Sequence, residues 1–272
     1  MSWHSLGWRA AWMTGLLLVA SPHPVQAQAR QLLFLETFNS GSVERQSRRW
    51  LDERHLKLIE RAGPDGSTAL EVTYVPSSEG SERIAINLPL RRPVSRARLA
   101  FDVRFAGNFS FARGGKLLGL GPARPVTGGD PRRPDGWSAR AMWRENGRIA
   151  TYLYEQQATR RFGISQLSLE PVLRPGEWHH VSLDLQLNDP GQSNGSASLR
   201  VDGRLVAVSE GLRLRGDGVT TMAPIDQLLL HTFFGGSDLS YQPRDGDGEL
   251  LTLTALFDNL QVTSEDPIPG RR

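Results

Sequence analysis

From Trp137 to Tyr154 the chain alternates with a period of two, and that pattern constrains the fold more than any other stretch. Trp137 to Arg144 reads as one strand and Arg148 to Tyr154 as its partner, because alternate side chains of a strand point to opposite faces. Glu145-Asn146-Gly147 between them reads as a hairpin turn. A two-residue loop would place Arg140 opposite Leu153. A three-residue loop with Gly147 left-handed places Arg140 opposite Tyr152 and Ser138 opposite Tyr154. The second register gathers Ala139, Ala141, Trp143, Ile149, Thr151 and Leu153 on one face fit for a core, so the hydrophobic pattern selects it. The other face then carries Ser138, Arg140, Tyr152 and Tyr154 together.

Just upstream lies Gly114-Gly115-Lys116. The chain has two lysines, Lys57 and Lys116, against 30 arginines. Lysine is a compact charge on a flexible stem and is not interchangeable with arginine at a chemical site. The plainer reading of the same residues is a glycine turn beside a solvated lysine.

These pieces resemble polysaccharide lyase family 14, which includes alginate and glucuronan lyases. The similarity rests on Gly114-Gly115-Lys116-Leu117, Gly128-Gly129, Ser138-Ala139-Arg140 leading to Met142-Trp143-Arg144, Tyr152-x-Tyr154, and Thr232-Phe233-Phe234-Gly235-Gly236. Pro175-Gly176-Glu177-Trp178-His179 also fits, although many jelly-roll domains share it. The resemblance spans roughly residues 101–257. It implies an antiparallel β-jelly-roll sandwich of the concanavalin-like lyase and lectin kind, with Lys116, Ser138, Arg140, Tyr152 and Tyr154 catalytic. Arg113, Arg144 and His231 are expected to bind substrate. Two departures stand out: Leu118, where the family pattern leads us to expect proline, and an Arg/Pro-rich insert at Pro131 to Pro134.

The rest of the chain agrees with an all-β reading. Strands are expected over Gln31 to Phe38, Leu70 to Val75, Arg83 to Leu88, Trp178 to Leu187, Ser196 to Val201, Leu205 to Val208, Gln227 to Phe234 and Leu250 to Val262. In Arg96 to Phe105, Ala97, Leu99, Phe101, Val103 and Phe105 share one face. Asp202-Gly203 is a two-residue hairpin signal. Glu44 to Arg61 reads equally as a helix or an irregular strand pair. Many strands and few helical periods point to a sandwich or barrel. The first 27 residues read as a secretory signal: Arg9, a short apolar core from Ala10 to Ala20, and Val25-Gln26-Ala27 as the cleavage site. That core is shorter than the roughly 20 residues of a membrane span. Residues 28–263 are expected to form one domain, with 264–272 a frayed tail. The mature protein is expected to be a secreted or periplasmic monomer, off the membrane.

The absence of cysteine excludes thiol catalysis and thiolate metal sites. A formal charge of +3 favours an anionic partner only weakly, and no nucleic-acid module accompanies it. His179 and His180 are strand neighbours facing opposite ways, so they cannot share a metal. Asp258-Asn259 offers oxygen ligands for calcium, but a strand-end role is the simpler account. No metal-protease, phosphate-loop or dinucleotide motif is present. Nor is there a run of paired carboxylates of the kind jelly-roll glycosidases use.

Uronate cleavage by elimination suits such a residue set. Removing the C5 proton drives negative charge onto the neighbouring carboxylate, which a cation must meet. Arg140 is expected to grip it with a bidentate fork, aided by Lys116. Tyr152 and Tyr154 are the acid/base candidates, their phenols made more acidic by nearby positive charge, with Lys116 the alternative base. Ser138 would orient the substrate or a tyrosine. Neither metal nor organic cofactor is called for. A non-catalytic carbohydrate-binding module, or a hydrolase with carboxylates from distant strands, are the competing readings.

Overall fold

The computed structural model describes residues 1, 30–39, 51–216, 222–236, 238–264 and 266. The expected signal segment lies outside them apart from Met1, as does residue 265 and the stretch from 267 onward. In chain order the strands are β1 (Gln31–Glu36), β2 (Leu56–Ile59), β3 (Ala69–Tyr74), β4 (Pro76–Ser77), β5 (Gly80–Ser81), β6 (Ile84–Val94), β7 (Arg96–Phe105), β8 (Gly114–Gly121), β9 (Ser138–Arg144), β10 (Ile149–Tyr154), β11 (Ile164–Leu167), β12 (Trp178–Gln186), β13 (Gly195–Val201), β14 (Arg204–Leu212), β15 (Ile225–Phe234) and β16 (Leu253–Ser264). They form two large antiparallel sheets, an all-β jelly-roll sandwich, and β4 pairs with β5 in a small two-stranded sheet. One large sheet runs β14-β13-β12-β7-β16-β3-β2, with β1 also on β16; the other runs β11-β10-β9-β8-β15-β6. No helix among the described residues is long and apolar enough to cross a membrane.

The alternating patterns set which face is inside. Leu99, Phe101, Val103 and Phe105 of β7 are fully buried. They pack with Ala139, Ala141, Trp143, Ile149 and Leu153 of the opposing sheet in one interior cluster. Each large side chain so buried contributes roughly 1.5–3 kcal/mol. An aromatic knot pins the second sheet. Trp143 lies 5.2 Å from Phe234 and 5.6 Å from Tyr74, and Phe109 stacks on Phe234 at 5.3 Å. Tyr74 Oη shares a 2.6 Å hydrogen bond with Thr232.

Several boundaries differ from expectation. The ambiguous segment before Arg61 ends as strand β2, and its residues 44–50 fall outside the described set. Ser264 is not tail: it closes β16, and its hydroxyl donates to Arg96 O at 2.6 Å. Asp266 continues that order by accepting the Ser95 N–H at 2.5 Å. Gly114 and Gly115 are strand residues, not a turn. A Cβ on Gly115 would sit 2.0 Å from the Trp143 ring, so the missing side chain is what lets the indole cross beneath β8. The two histidines of β12 are structural. His179 is buried against Asp202 and the Arg174 N–H, while His180 faces out to Asp102.

Candidate active site

The β9–β10 hairpin has the three-residue register. Tyr152 pairs with Arg140 and Tyr154 with Ser138, and Asn146 and Gly147 both adopt left-handed φ. Its outward face, with Met142, Tyr152, Tyr154 and Val126, forms a small cluster separate from the core. Next to it, β8 carries a bulge. Lys116 pairs with Met142 but Gly119 pairs with Arg140, so β8 has one residue more than β9 over the same span. Lys116 and Gly119 therefore share the outward face. A Cβ on Gly119 would lie 2.5 Å from Arg140 Cγ, so the bare backbone makes the bed for that arginine.

Across this face runs a cleft of about 480 Å³. Among the described residues, five cationic side chains, Arg83, Lys116, Arg140, Arg144 and Arg160, line it, and no Asp or Glu does. The Lys116 ammonium lies 4.9 Å from the Tyr152 ring and 5.1 Å from the Phe233 ring. Burial first, then the charges of Arg140, Arg83 and Arg144, brings this ammonium down to about 7. The free amine is therefore within reach near neutral pH.

Arg140 lies in the floor, wholly covered. Its terminal nitrogens donate to Ser138 Oγ (2.9 Å) and to His231 Nδ1 (3.1 Å), while Nε has no partner. Ser138, also wholly buried, passes its own hydrogen to Val126 O at 2.7 Å. His231 accepts at Nδ1, so its proton sits on Nε2 and is given to Asn87 Oδ1 at 2.8 Å. Burial, helped by Arg140 and Lys116, pulls His231 down to about 3, which keeps the ring neutral. Burial pulls Arg140 down to about 10, so it stays charged at neutral pH.

These positions change the roles expected of several residues. Arg140 gives one hydrogen from each terminal nitrogen to Ser138 and His231 beneath the floor, two of its five N–H groups. Ser138 touches Arg140 and backbone, not open space. Both nitrogens of His231 are spent, so it holds Arg140 more than it meets a ligand. Arg113 stands outside the lining, reaching Ser240 Oγ at 2.7 Å and the Tyr241 ring at 5.1 Å. Arg144 does line the cleft, with one bond to Ser165 Oγ at 3.2 Å. The expected acidification of the tyrosines fails for Tyr152. Burial and the adjoining Tyr154 hydroxyl raise its phenol above the usual range, outweighing Arg140. Each tyrosine hydroxyl accepts a backbone N–H, Tyr152 from Gly163 (3.2 Å) and Tyr154 from Gly129 (2.8 Å). Neither backbone bond uses a phenol hydrogen, and the two hydroxyls also bond to each other. Sequence reading missed Arg83, Arg160, Phe162 and Tyr241. Arg83 and Tyr241 come from segments far along the chain and Arg160 and Phe162 from the loop after β10, and no local pattern marks them.

Asp258 needs no calcium to explain it. Its carboxylate accepts from Ser67 Oγ at 2.6 Å and from the Asn259 N–H at 2.7 Å. Among the described residues no group of three or more His, Cys, Asp or Glu is placed to hold a metal ion.

A jelly-roll sandwich with a cationic cleft on the outside of one sheet has the form of a protein that handles an anionic chain. The chain belongs to polysaccharide lyase family 14: the family model Polysaccharide lyase 14 matches residues 64–248. It is a polysaccharide lyase. Among solved structures it is similar to alginate lyase Aly36B, with a TM-score of 0.65 and 20% identity over 86% of this chain and 97% of that one. It is similar to the PL-14 alginate lyase of Aplysia kurodai, with a TM-score of 0.63 and 21% identity over 85% and 98%. It also resembles the endo-β-1,4-glucuronan lyase of the fungus Trichoderma reesei, with a TM-score of 0.59 and 15% identity over 85% and 95%. No curated protein sequence matches it.

Proposed function

We propose that the enzyme cuts a uronate polymer, alginate or glucuronan, by β-elimination. The observation that carries this reading is the composition of the cleft: five cations, no carboxylate, and among the cations one lysine that loses its proton near neutral pH. Aly36B has been solved with an alginate trisaccharide and a tetrasaccharide, and the fungal relative acts on glucuronan. A hydrolase would need two carboxylates facing the bond to be cut, and among the described residues none lines this cleft.

In this reading Lys116, as the free amine, takes the C5 proton. The C–H electrons form the C4=C5 double bond and the C4–O bond breaks. Tyr152 gives its hydroxyl hydrogen to the departing oxygen, and the Gly163 N–H stabilises the phenolate left behind. Lys116 then returns a proton to Tyr152 and resets the site. Arg144, with Arg83, holds the substrate carboxylate as it gains charge. Arg140 acts through the floor, keeping Lys116 easy to deprotonate, and Ser138 and His231 keep Arg140 in place. Tyr154, wholly buried, packs edge-on against Tyr152 at 5.6 Å and fixes its ring.

The test is absorbance of the unsaturated uronate product on alginate, polymannuronate, polyguluronate and glucuronan. Wild type should generate it from at least one polymer, and folded Lys116→Met and Tyr152→Phe should be nearly inactive. Wild type that binds one of these polymers and cuts none would be a binding module, and the reading would fail.

A further inference from the structure

Two aromatic rings stand at the ends of the cleft, and their settings are alike. Phe162, 41% exposed, lies over Gly129, where a Cβ would come within 3.0 Å of the ring. Tyr241 lies over Gly236, where a Cβ would come within 1.9 Å. Each has an arginine over its ring, Arg161 at 5.3 Å from Phe162 and Arg113 at 5.1 Å from Tyr241. Arg132, from the Arg/Pro-rich insert, donates to the carbonyls of Glu155 (3.1 Å), Arg160 (3.2 Å) and Phe162 (3.2 Å), tying down the Phe162 loop. The same guanidinium lies 4.6 Å from the Tyr154 ring. Arg113 holds Tyr241 through its stack and through Ser240, whose N–H is bonded to Asp238.

Strand registers place the rings at opposite ends. Phe162 leads into β11, whose Ile164 pairs with Leu153, so it sits at the Tyr154 and Ser138 end of the hairpin. Tyr241 packs on Gly236, just past the Phe234–Gly115 pair, and Gly114 pairs with Arg144 at the other end of β9. Lys116 and Tyr152 lie between them. Nothing in the elimination chemistry uses either ring.

We propose that Phe162 and Tyr241 are sugar-stacking platforms, one on each side of the reacting residues, each taking the apolar face of a pyranose ring of the uronate chain. This rests on the uronate-lyase reading. Guanidinium groups meet the carboxylates, while the rings meet the C–H faces that cations leave bare. The insert then has a role: Arg132 sets one platform, so the departure from the family pattern tunes how the chain is gripped at that end.

The test compares Phe162→Ala, Tyr241→Ala and Tyr241→Phe with wild type on the preferred polymer. Each alanine change should raise KM about five- to tenfold with kcat nearly unchanged, and Tyr241→Phe should behave as wild type. Affinity electrophoresis through gels containing the same polymer supplies a second readout: both alanine variants should be retarded less. Alanine variants with wild-type KM and wild-type retardation overturn the proposal. So does Tyr241→Phe as poor as Tyr241→Ala, which would assign the effect to the hydroxyl. Wild type that is retarded but forms no unsaturated product sinks the elimination reading alone, and weaker retardation of the alanine variants would still support the platforms.

Discussion

Replacing Arg140 with methionine separates two accounts of that residue. In the structure the guanidinium is covered, and its influence reaches the cleft through the charge it sets beside Lys116. The two residues lie on adjacent strands. For unit charges about 7 Å apart at an effective dielectric of about 20, the repulsion is roughly 2 kcal/mol. Because the cleft is partly open, about 1.4 kcal/mol is a fair working value, which is one pH unit. Like charge disfavours the ammonium, so removing Arg140 should raise Lys116 from about 7 to about 8. Burial, the larger cause, remains.

A base must be unprotonated, so kcat/KM of wild type should rise with pH through about 7 and then level off. In Arg140→Met the rise should move up by about one pH unit. The rate would then be several-fold to tenfold low at pH 7 and largely recovered near pH 9.5. If Arg140 instead gripped the substrate carboxylate, the loss would be about a hundredfold or more at every pH. The assay is initial-rate product absorbance from pH 5.5 to 10, with thermal unfolding alongside to confirm folding. A uniform loss with an unmoved rise would refute the indirect role, and a wild-type profile flat through pH 7 would refute Lys116 as the base.

Gly115→Ala should cost about 2–3 kcal/mol of stability. The new methyl would stand 2.0 Å from the Trp143 ring and 2.5 Å from the Phe233 carbonyl oxygen, and the latter is backbone; chemical denaturation measures the loss. Ser138→Ala should cost about 1.5–3 kcal/mol by stripping a buried, charge-assisted bond from Arg140 and stranding the Val126 carbonyl. Unfolding midpoints equal to wild type would mean that Ser138 is not the strut the geometry makes it.

The hairpin register was legible because one face of it had to be core. A one-residue slip would have put Trp143 and Leu153 on opposite faces and turned one of them outward, a cost no alternative turn repays. Lys116 stood out because the chain otherwise uses arginine. What could not be read was depth. Whether Arg140 meets solvent depends on Lys116, His231 and Tyr152 closing over it, and these sit on three other strands. The shift of Tyr152 runs opposite to expectation for the same reason. Nearby positive charge is visible in a sequence, but the burial that outweighs it comes from how distant loops pack. Arg113 was expected to bind substrate; the strand starts at Gly114 and leaves it among the residues around Tyr241.

The bulge in β8 explains why Leu118 can stand where proline was expected. In a regular strand Lys116 and Leu118 would share a face, and Gly119 would point inward. Leu118 would then occupy the cleft floor where Arg140 lies, and the core would lose a side chain. With the extra residue, Leu117 and Leu118 both join the interior cluster, and Lys116 and Gly119 both turn outward. A proline at such a position removes a backbone donor where the ladder is already broken, which is the place in a sheet that tolerates it. Leucine leaves that donor in place and adds an apolar side chain, 1% exposed. Either residue satisfies the bulge, one by the ring it lacks a ladder bond for and the other by burial. The departure therefore leaves Lys116 facing Tyr152, and the change that would disturb the site is a polar residue at 118, which the interior would expel into the cleft.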